Sequence, residues 1–302
     1  MHLITHKGVL DRMTKSQNMF AKLALFAAAI IWGSSFFIMK DTVNVLPPIF
    51  LLAVRFSVAC ILLAVIFYKK LKKLNRTYWW HGALIGLFLF LAYATQTIGI
   101  TDTTPGKNAF LTAIYCVIVP FLFWLVGRQK PDVYNFTAAF LCIAGIGFVS
   151  LTQDFSIGFG DTLTLVGGFL YAAHLVAVSK FGSDKDPVVI TILQFFFAAL
   201  LCWITTLVAE PFPTSISLEC AGSLAYLAVF CTAGALLLQN IGQKYTNPSA
   251  AAIILSLESV FGVLFSVLLG YETLTPKLLV GFVLIFAAVL LSETKLSFLK
   301  RN

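Results

Sequence analysis

Apolar stretches follow one another along the whole chain and are separated by short polar segments. Each stretch is about 18–21 residues long, which is enough for a helix to cross the ~30 Å hydrocarbon core of a bilayer. The pattern predicts an all-α integral membrane protein. The ten predicted transmembrane helices lie near residues 22–39, 48–68, 79–99, 107–126, 134–152, 160–180, 188–209, 219–241, 249–269 and 276–293.

A motif near the third predicted helix returns near the eighth. Gln96-Thr97-Ile98-Gly99 is followed by Pro105, and Gln239-Asn240-Ile241-Gly242 is followed by Pro248 at the same spacing. Each half of the chain holds five predicted helices, so the second copy would begin on the opposite side of the membrane from the first. This pattern indicates an inverted-topology repeat, which many secondary transporters use to hold a solute near the bilayer midplane.

Positive charge is distributed unevenly between the two sides of this predicted topology. Seventeen lysine and arginine residues fall in segments on the side of the N-terminus, whereas the opposite side carries only Lys40, Lys107 and Lys277. The positive-inside rule then predicts that both termini are cytoplasmic and that the protein is a multi-pass component of the inner or plasma membrane. The predicted segments are a cytoplasmic N-terminal segment at 1–21, a first five-helix repeat at 22–152, a second, inverted five-helix repeat at 160–293 and a cytoplasmic tail at 294–302.

Composition excludes several classes of protein. Hydrophobic residues make up 59% of the chain and charged residues 11%, a balance that no soluble globular domain has. The net charge of +8 faces anionic lipid on the cytoplasmic side, so no nucleic-acid partner is predicted. The six cysteines lie in apolar stretches without a CxxC spacing, which favours neither a metal site nor a disulfide framework. No nucleotide-binding phosphate loop or hydrolase motif is found, so we predict neither a cofactor nor an enzyme.

Glu258 is the most informative single residue. It lies about ten residues into the ninth predicted helix, roughly 15 Å deep and therefore near the bilayer midplane. A carboxylate at this depth is costly, and such residues usually line a cavity or relay protons. The alternative is a neutral, hydrogen-bonded acid that only packs helices together.

Two further ionisable residues lie within predicted helices. Arg55 is about 10 Å below the outer surface by the helical rise, and its counterpart in the second half is the neutral Gln194. It orders the outer half of a cavity, extends its side chain to the lipid headgroups, or forms a structural bond to backbone carbonyl groups. His174 lies in the second half of the sixth helix without an acidic or cysteine partner nearby in sequence, which favours a hydrogen-bonded core residue.

Small and aromatic residues in the first helix form a third candidate group. The motif Trp32-Gly33-Ser34-Ser35-Phe36 can either pack helices closely or present hydroxyl groups to a solute. Tyr171 lies at the position in the second half that corresponds to Trp32. Two aromatic residues related in this way could wall a central cavity from both halves.

In combination, these residues resemble the drug/metabolite transporter superfamily, specifically its EamA-type ten-helix members. The resemblance covers residues 20–293 and implies a transporter that mostly exports small metabolites, amino acids or drugs. It also implies a central cavity lined by the first, third, fourth, sixth, eighth and ninth helices. The matching stretches are Trp32-Gly33-Ser34-Ser35-Phe36, Pro48 with Arg55-Phe56, and Leu257-Glu258-Ser259-Val260-Phe261 followed by Gly270-Tyr271-Glu272-Thr273-Leu274-Thr275 and Gly281. The chain departs from the family pattern at Ser35, where asparagine is frequent, and at Ser259, where proline is frequent.

The sequence therefore predicts a secondary transporter that exports an amino acid-like, nucleoside-like or drug-like solute by alternating access, with proton coupling as one hypothesis. An uncoupled facilitator or pore is the main alternative, and a lipid-modifying membrane enzyme is a further one. Predicted partners are the bilayer, a small solute and, under the coupling hypothesis, protons. The candidate solute-binding residues are Trp32, Ser35, Tyr93, Gln96, Tyr115, Tyr171 and Gln239, and the candidate charge or coupling residues are Glu258, Arg55 and His174.

Overall fold

A computed structural model describes residues 15–127, 130–150, 157–246 and 248–294, which form helices joined by short loops. Two short 3₁₀ segments occur at Tyr68–Lys73 and Ile100–Asp102, and a π-helical segment occurs at Leu227–Gly234. The α-helices are α1 Lys15–Val43, α2 Pro48–Ile66, α3 Arg76–Gly99, α4 Pro105–Thr112, α5 Tyr115–Gly127, α6 Val133–Ser150, α7 Phe159–Phe181, α8 Pro187–Ala209, α9 Leu218–Tyr226, α10 Ala235–Lys244, α11 Pro248–Leu268 and α12 Pro276–Thr294.

The predicted all-helical membrane fold is confirmed at the level of helix length and composition. Within the described residues, seven helical stretches are long and apolar enough to cross a membrane. They are Gln17–Val43, Pro48–Ile66, Arg76–Asp102, Pro105–Val126, Phe159–Phe181, Pro187–Ala209 and Leu218–Lys244. Shorter apolar helices occupy Val133–Val149, Ile254–Leu268 and Pro276–Ala288. The count of ten crossings and the inverted repeat stay predictions.

Several helix starts follow from residues that favour the first turn. Pro48, Pro105 and Pro187 stand there, where the missing N–H removes no helical hydrogen bond. The side chain of Asn75 caps α3 by accepting hydrogen bonds from two backbone amides of its first turn. Asp186 caps α8 in the same way by accepting from the Val188 amide.

The structure differs from the predicted helices in three places. Helix α1 already begins at Lys15, so the end of the predicted N-terminal segment is helical, while the rest of that segment lies outside the described residues. The fourth predicted helix is not continuous, because a turn at residues 113–114 separates α4 from α5, two turns before Pro120. The eighth contains the π-helical segment, which its regular apolar pattern did not indicate.

The loop that precedes α8 is bound to the segment between α2 and α3. The Asp186 carboxylate accepts from Lys73 Nζ at 2.7 Å and from Lys70 Nζ at 3.3 Å, and its backbone N–H donates to the Tyr78 hydroxyl. Burial alone would raise the pKa of Asp186, but these lysines and the Val188 amide outweigh it and hold the pKa below its ordinary value. This end of the bundle is therefore held by charged groups that water can reach.

The helices pack around a central group that holds most of the polar residues. Helix α1 packs along α11 and α10, while α3 packs along α7 and α8. Helices α2 and α8 form a pair on one side of this group, and α6 and α12 form a pair on the other. This arrangement leaves α1, α3, α7, α10 and α11 facing one another at the centre.

The contact between α1 and α11 requires a residue without a side chain at position 33. A Cβ atom on Gly33 would collide with the Cβ of Phe261 and would lie 3.2 Å from the carbonyl oxygen of Glu258. The two helices can approach this closely only because Gly33 lacks a Cβ, as in other small-residue interfaces of membrane helices. Gly33 therefore allows α1 to pack closely against α11, the helix that carries Glu258.

Replacing Gly33 by alanine should lower the melting temperature of the detergent-solubilised protein. The added methyl group forces α1 and α11 apart, and overpacking of this kind typically costs about 1–3 kcal/mol. The matched control is Gly222→Ala in α9, where an added Cβ has no neighbour within 4 Å. That variant should be neutral or slightly stabilising, since alanine is the better helix former. Equal melting temperatures for the two variants would contradict the close α1–α11 contact.

Candidate functional site

A cavity at the centre of the bundle collects residues from most of the central helices. It encloses about 600 Å³ of space that protein atoms do not fill, part of it continuous with solvent. Its lining residues are Trp32, Ser35, Phe36, Met39, Arg55, Tyr93, Gln96, Thr97, Ile100, Asn108, Tyr115, Tyr171, His174, Leu175, Gln239, Leu255 and Glu258.

All ten residues singled out in the sequence line this cavity. That they contact a solute or a proton stays a prediction. The predicted lining was incomplete, because α2 also contributes through Arg55. Sequence reasoning also missed Met39, Thr97 and Asn108. Of these, Thr97 had a signal, because it lies within the repeated motif that begins at Gln96.

Arg55 is buried in the cavity wall and does not extend to the surface of the protein. Its side chain is 1% exposed, which contradicts the alternative that it extends to the headgroups. Its Nε donates to Thr232 Oγ1 at 3.0 Å, its Nη1 lies 3.6 Å from Met39 Sδ, and its guanidinium lies 5.5 Å from the centre of the Tyr93 ring. None of the ion pairs formed by the described residues involves Arg55.

The π-helical segment between α9 and α10 supplies the partners of two cavity residues. Its wider turn lets the Thr232 hydroxyl donate to the Leu227 carbonyl, five residues earlier, while it accepts from Arg55. The Cys231 carbonyl accepts from Trp32 Nε1 at 2.8 Å. Such π-helical turns frequently occur at functional sites, and here the segment orients a guanidinium and an indole.

Glu258 faces the cavity from the middle of α11. Its side chain is 5% exposed, and it takes part in none of the ion pairs of the described residues. The Tyr115 hydroxyl lies beside the Glu258 carboxyl, but forms no hydrogen bond of good geometry with any described residue. The acid is therefore buried near a phenol and without a cation.

A chain of hydrogen bonds lines the wall formed by α3, α4 and α7. The Tyr171 hydroxyl donates to Gln96 Oε1 at 2.8 Å, and Gln96 Nε2 donates to Thr112 Oγ1 at 3.0 Å. Asn108 Nδ2 donates to Thr164 Oγ1 at 2.8 Å. These bonds fix the amide of Gln96 and the ring of Tyr171 in the wall.

Three other candidates already have protein partners. His174 Nε2 lies 3.0 Å from Gln194 Oε1, as expected for a hydrogen-bonded core histidine. Gln239 Nε2 donates to Gln243 Oε1 at 2.8 Å. The Ser35 hydroxyl donates to the Trp32 carbonyl in its own helix, so it is less available to a solute than its position suggests.

Other polar atoms of the lining have no protein partner. Thr97 Oγ1, Asn108 Oδ1 and Tyr115 Oη are buried and unpaired among the described residues. A buried polar atom of this kind is destabilising by roughly 1–3 kcal/mol, and such groups are rare in native proteins unless they have a role. Three of the seven buried side-chain atoms that are unpaired among the described residues therefore lie around this cavity.

The described residues contain no obvious metal centre. No group of three histidine, cysteine, aspartate or glutamate side chains among them lies close enough to hold an ion. On the rim of the bundle, Glu272 is buried instead against Thr104, whose hydroxyl donates to it at 2.8 Å. Burial raises the pKa of Glu272, and the hydrogen bonds from Thr104 and Ser266 oppose that shift.

The structure is a bundle of membrane-length helices around a central cavity, and the comparisons with known proteins identify its family. The family model for the EamA-like transporter family matches residues 19–151 and 158–294. The chain belongs to this family and is a multi-pass membrane protein. The resemblance seen in the sequence is thereby confirmed.

Individual relatives support the same class. The chain is 33% identical over 279 residues to an uncharacterized transporter of Archaeoglobus fulgidus, covering 91% of this chain and 86% of the relative. It is 27% identical over 282 residues to the uncharacterized inner membrane transporter YedA of Escherichia coli, covering 91% of each. A crystal structure at 15% identity shares the fold with a TM-score of 0.70, over 93% of this chain and 98% of the other. The family and these names indicate a transporter rather than an enzyme.

Replacing Thr97 by valine should stabilise the solute-free protein and weaken solute binding. Valine keeps the shape and removes a hydroxyl that is 1% exposed and unpaired. The matched control is Thr206→Val in α8, because the Thr206 hydroxyl is equally buried and unpaired but does not line the cavity. Melting temperature should rise for both variants. The apparent Kd or KM for the solute should rise, roughly two- to tenfold, for Thr97→Val alone. An equal effect of both variants on solute binding would contradict a solute contact at Thr97.

Proposed function

We propose that this protein is a secondary transporter that moves a small organic solute, most often outward, through the central cavity by alternating access. The proposed solute is amino acid-like, nucleoside-like or drug-like. Glu258 is proposed to carry the proton that couples solute movement to the membrane gradient. An uncoupled facilitator or pore is the second candidate.

The observation that carries this proposal is a pair of ionisable groups that line one cavity without an ion-pair partner among the described residues. Arg55 and Glu258 both line it, and no ion pair among the described residues involves either of them. Removing such a group from water is destabilising by several kcal/mol unless another charge or a hydrogen-bonding ligand compensates it. A solute that brings complementary groups supplies that compensation when it binds.

The packing of the helices supports ten crossings arranged as two inverted repeats. If the five predicted helices of one half correspond to those of the other, then contacts should occur in equivalent pairs. Helix α1 packs along α11, and its counterpart α7 packs along α4 and α5. Helix α3 packs along α7, and its counterpart α10 packs along α1. The pairs α2–α8 and α6–α12 each join one helix to its own counterpart, as expected around a two-fold axis.

The proposed orientation places both termini on the cytoplasmic side of a bacterial-type inner membrane or of a plasma membrane. The lysine and arginine count supports this orientation, and YedA is named an inner membrane transporter. In this orientation Arg55 lies in the outer half of the cavity. His174 and Gln239 lie in its cytoplasmic half.

The test of transport is a solute screen followed by counterflow. Purified protein would be heated with amino acids, nucleosides and other metabolites, because a ligand that binds the folded state raises the melting temperature. A stabilising solute would then be tested in proteoliposomes. Saturable flux with counterflow supports a carrier, whereas non-saturable flux supports the pore. Turnover of lipid by the purified protein without solute flux would instead support a membrane enzyme.

Arg55→Lys should impair solute binding although it keeps the positive charge. Lysine cannot reproduce the bond from Nε to Thr232 together with the remaining guanidinium donors. The KM for the solute should rise by roughly tenfold, the equivalent of one or two lost hydrogen bonds. The matched control is Arg76→Lys at the exposed start of α3, which should leave KM unchanged. Normal transport by Arg55→Lys, and also by Arg55→Gln, would exclude a solute contact.

Glu258→Gln should abolish proton-coupled efflux and preserve solute exchange. Glutamine keeps the shape of the side chain but cannot gain and lose a proton, and an ion can drive a solute only through a site that responds to it differently in the two states. Efflux against a gradient and its pH dependence would be measured beside exchange at equal concentrations. The control is Glu219→Gln at the exposed start of α9. If Glu258→Gln transports with an unaltered pH profile, then Glu258 does not couple transport to protons.

A further inference from the structure

The central cavity contains residues from both halves in equivalent positions. Residues 139 apart in α1 and α7, and residues 143 apart in the later helices, are counterparts in the proposed repeat. The counterpart pairs that line the cavity are Trp32 and Tyr171, Ser35 and His174, Phe36 and Leu175, Gln96 and Gln239, and Tyr115 and Glu258. The middle of the cavity is therefore centred on the proposed two-fold axis.

Toward its two ends, however, the cavity is not symmetric. On the outer side it continues to Met39, Thr97 and Ile100. Their counterparts on the cytoplasmic side are Val178, Asn240 and Gln243, and none of these lines the central cavity. They line a second, smaller cavity together with Ser179, Gly182, Ser183, Pro187, Ile190 and Lys244. Residues that line the central cavity on the outer side thus have counterparts that line a different cavity on the cytoplasmic side.

The side chain of Gln243 contacts residues of both cavities. Its Nε2 lies 3.3 Å from the Leu175 carbonyl oxygen and 3.4 Å from Ser179 Oγ, both on α7. Its Oε1 accepts from Gln239 Nε2 at 2.8 Å. Leu175 and Gln239 line the central cavity, whereas Ser179 lines the smaller one. One buried amide therefore connects α10 to α7 between the two spaces.

The smaller cavity contains a polar atom without a partner. Asn240 is 3% exposed, and its Nδ2 donates to Thr191 Oγ1 at 2.7 Å. Its Oδ1 has no hydrogen-bond partner among the described residues. An unpaired, buried acceptor in a cavity that Lys244 also lines suits a polar passage better than a sealed helix contact.

The equivalent position on the outer side also carries a contact between helices. Lys40 and Ile100 are the counterparts of Ser179 and Gln243, and Lys40 Nζ donates to the Ile100 carbonyl at 2.8 Å. Helices α1 and α3 are thus joined at the outer end, just as their counterparts α7 and α10 are joined at the cytoplasmic end. Ile100 lines the central cavity, whereas its counterpart Gln243 does not, so the two contacts are not equivalent in this conformation.

We propose that the smaller cavity is the closed cytoplasmic half of the solute path and that Gln243 is its gate. In this conformation the path is closed to the cytoplasm, and the binding space extends toward the outer side. The solute admitted by the gate carries a hydrogen-bond donor, which pairs with Asn240 Oδ1 as α10 moves away from α7. This proposal rests on the transport function proposed above.

Cysteine accessibility tests the gate without a known solute. Single cysteines at Thr97 and at its counterpart Asn240 would be placed in a background that lacks the native cysteines. A membrane-impermeant methanethiosulfonate would be applied to right-side-out and inside-out vesicles. Thr97→Cys should react from the outside at least about tenfold faster than Asn240→Cys reacts from the cytoplasmic side. Equal rates would overturn the proposed asymmetry.

Gln243→Ala then tests the gate itself. Loss of the amide should raise the rate at Asn240→Cys, roughly two- to tenfold for each hydrogen bond removed, and Ser179→Ala should have a smaller effect in the same direction. The labelling rate at Thr97→Cys should fall in the same Gln243→Ala protein. A larger population of the conformation open to the cytoplasm leaves a smaller population of the conformation open to the outside. A misfolded variant would react faster at both positions, and that result would overturn the gate assignment, as would unchanged rates.

Flux measurements separate this proposal from the transport function. If the labelling pattern holds but no solute exchanges in proteoliposomes, then transport fails while Gln243 remains a barrier between two spaces. If exchange occurs but labelling does not depend on Gln243, then the carrier has its gate elsewhere and the gate assignment is wrong.

Discussion

The burial of one guanidinium is the constraint on which the centre of this protein depends. Arg55 is almost fully enclosed by protein, so its donors cannot be left to water or headgroups. The structure compensates it with soft or neutral groups, namely the Thr232 hydroxyl, the Met39 sulfur and the face of the Tyr93 ring. None of these groups is an anion, so the guanidinium has no ion-pair partner among the described residues.

That requirement accounts for the irregular helix opposite Arg55. In a regular α-helix the Thr232 hydroxyl would reach a carbonyl three or four residues earlier, whereas here it reaches Leu227 and still accepts from Arg55. The same segment exposes the Cys231 carbonyl to the Trp32 indole. Under the proposed repeat, the counterpart of this segment lies in α3, which is a continuous α-helix. The distortion therefore occurs in the helix that accepts the hydrogen bond from Arg55 Nε.

The sequence predicted the helices well and the geometry of the site incompletely, for physical reasons. Length and hydrophobicity determine what can cross a bilayer, so most helix bounds agreed within a few residues. Polar residues inside a membrane protein collect away from lipid, which is why all ten candidate residues line one cavity. The π-helical segment depends on partners far away in sequence, and the local hydrophobic pattern did not indicate it. The same holds for Asn108 and for the Gln243 contact, which only tertiary packing brings into place.

Under the proposed repeat, two counterpart pairs make the halves chemically different. Arg55 corresponds to Gln194, and Glu258 corresponds to Tyr115, so each half contributes one ionisable group and one neutral hydrogen-bonding group. In a cavity of perfect two-fold symmetry, a solute would bind equally well in two orientations. Placing a cation on α2 and an acid on α11 removes that equivalence in the proposed arrangement. A solute with distinct ends then binds in one orientation only, and the same groups meet the same ends whichever side the cavity faces.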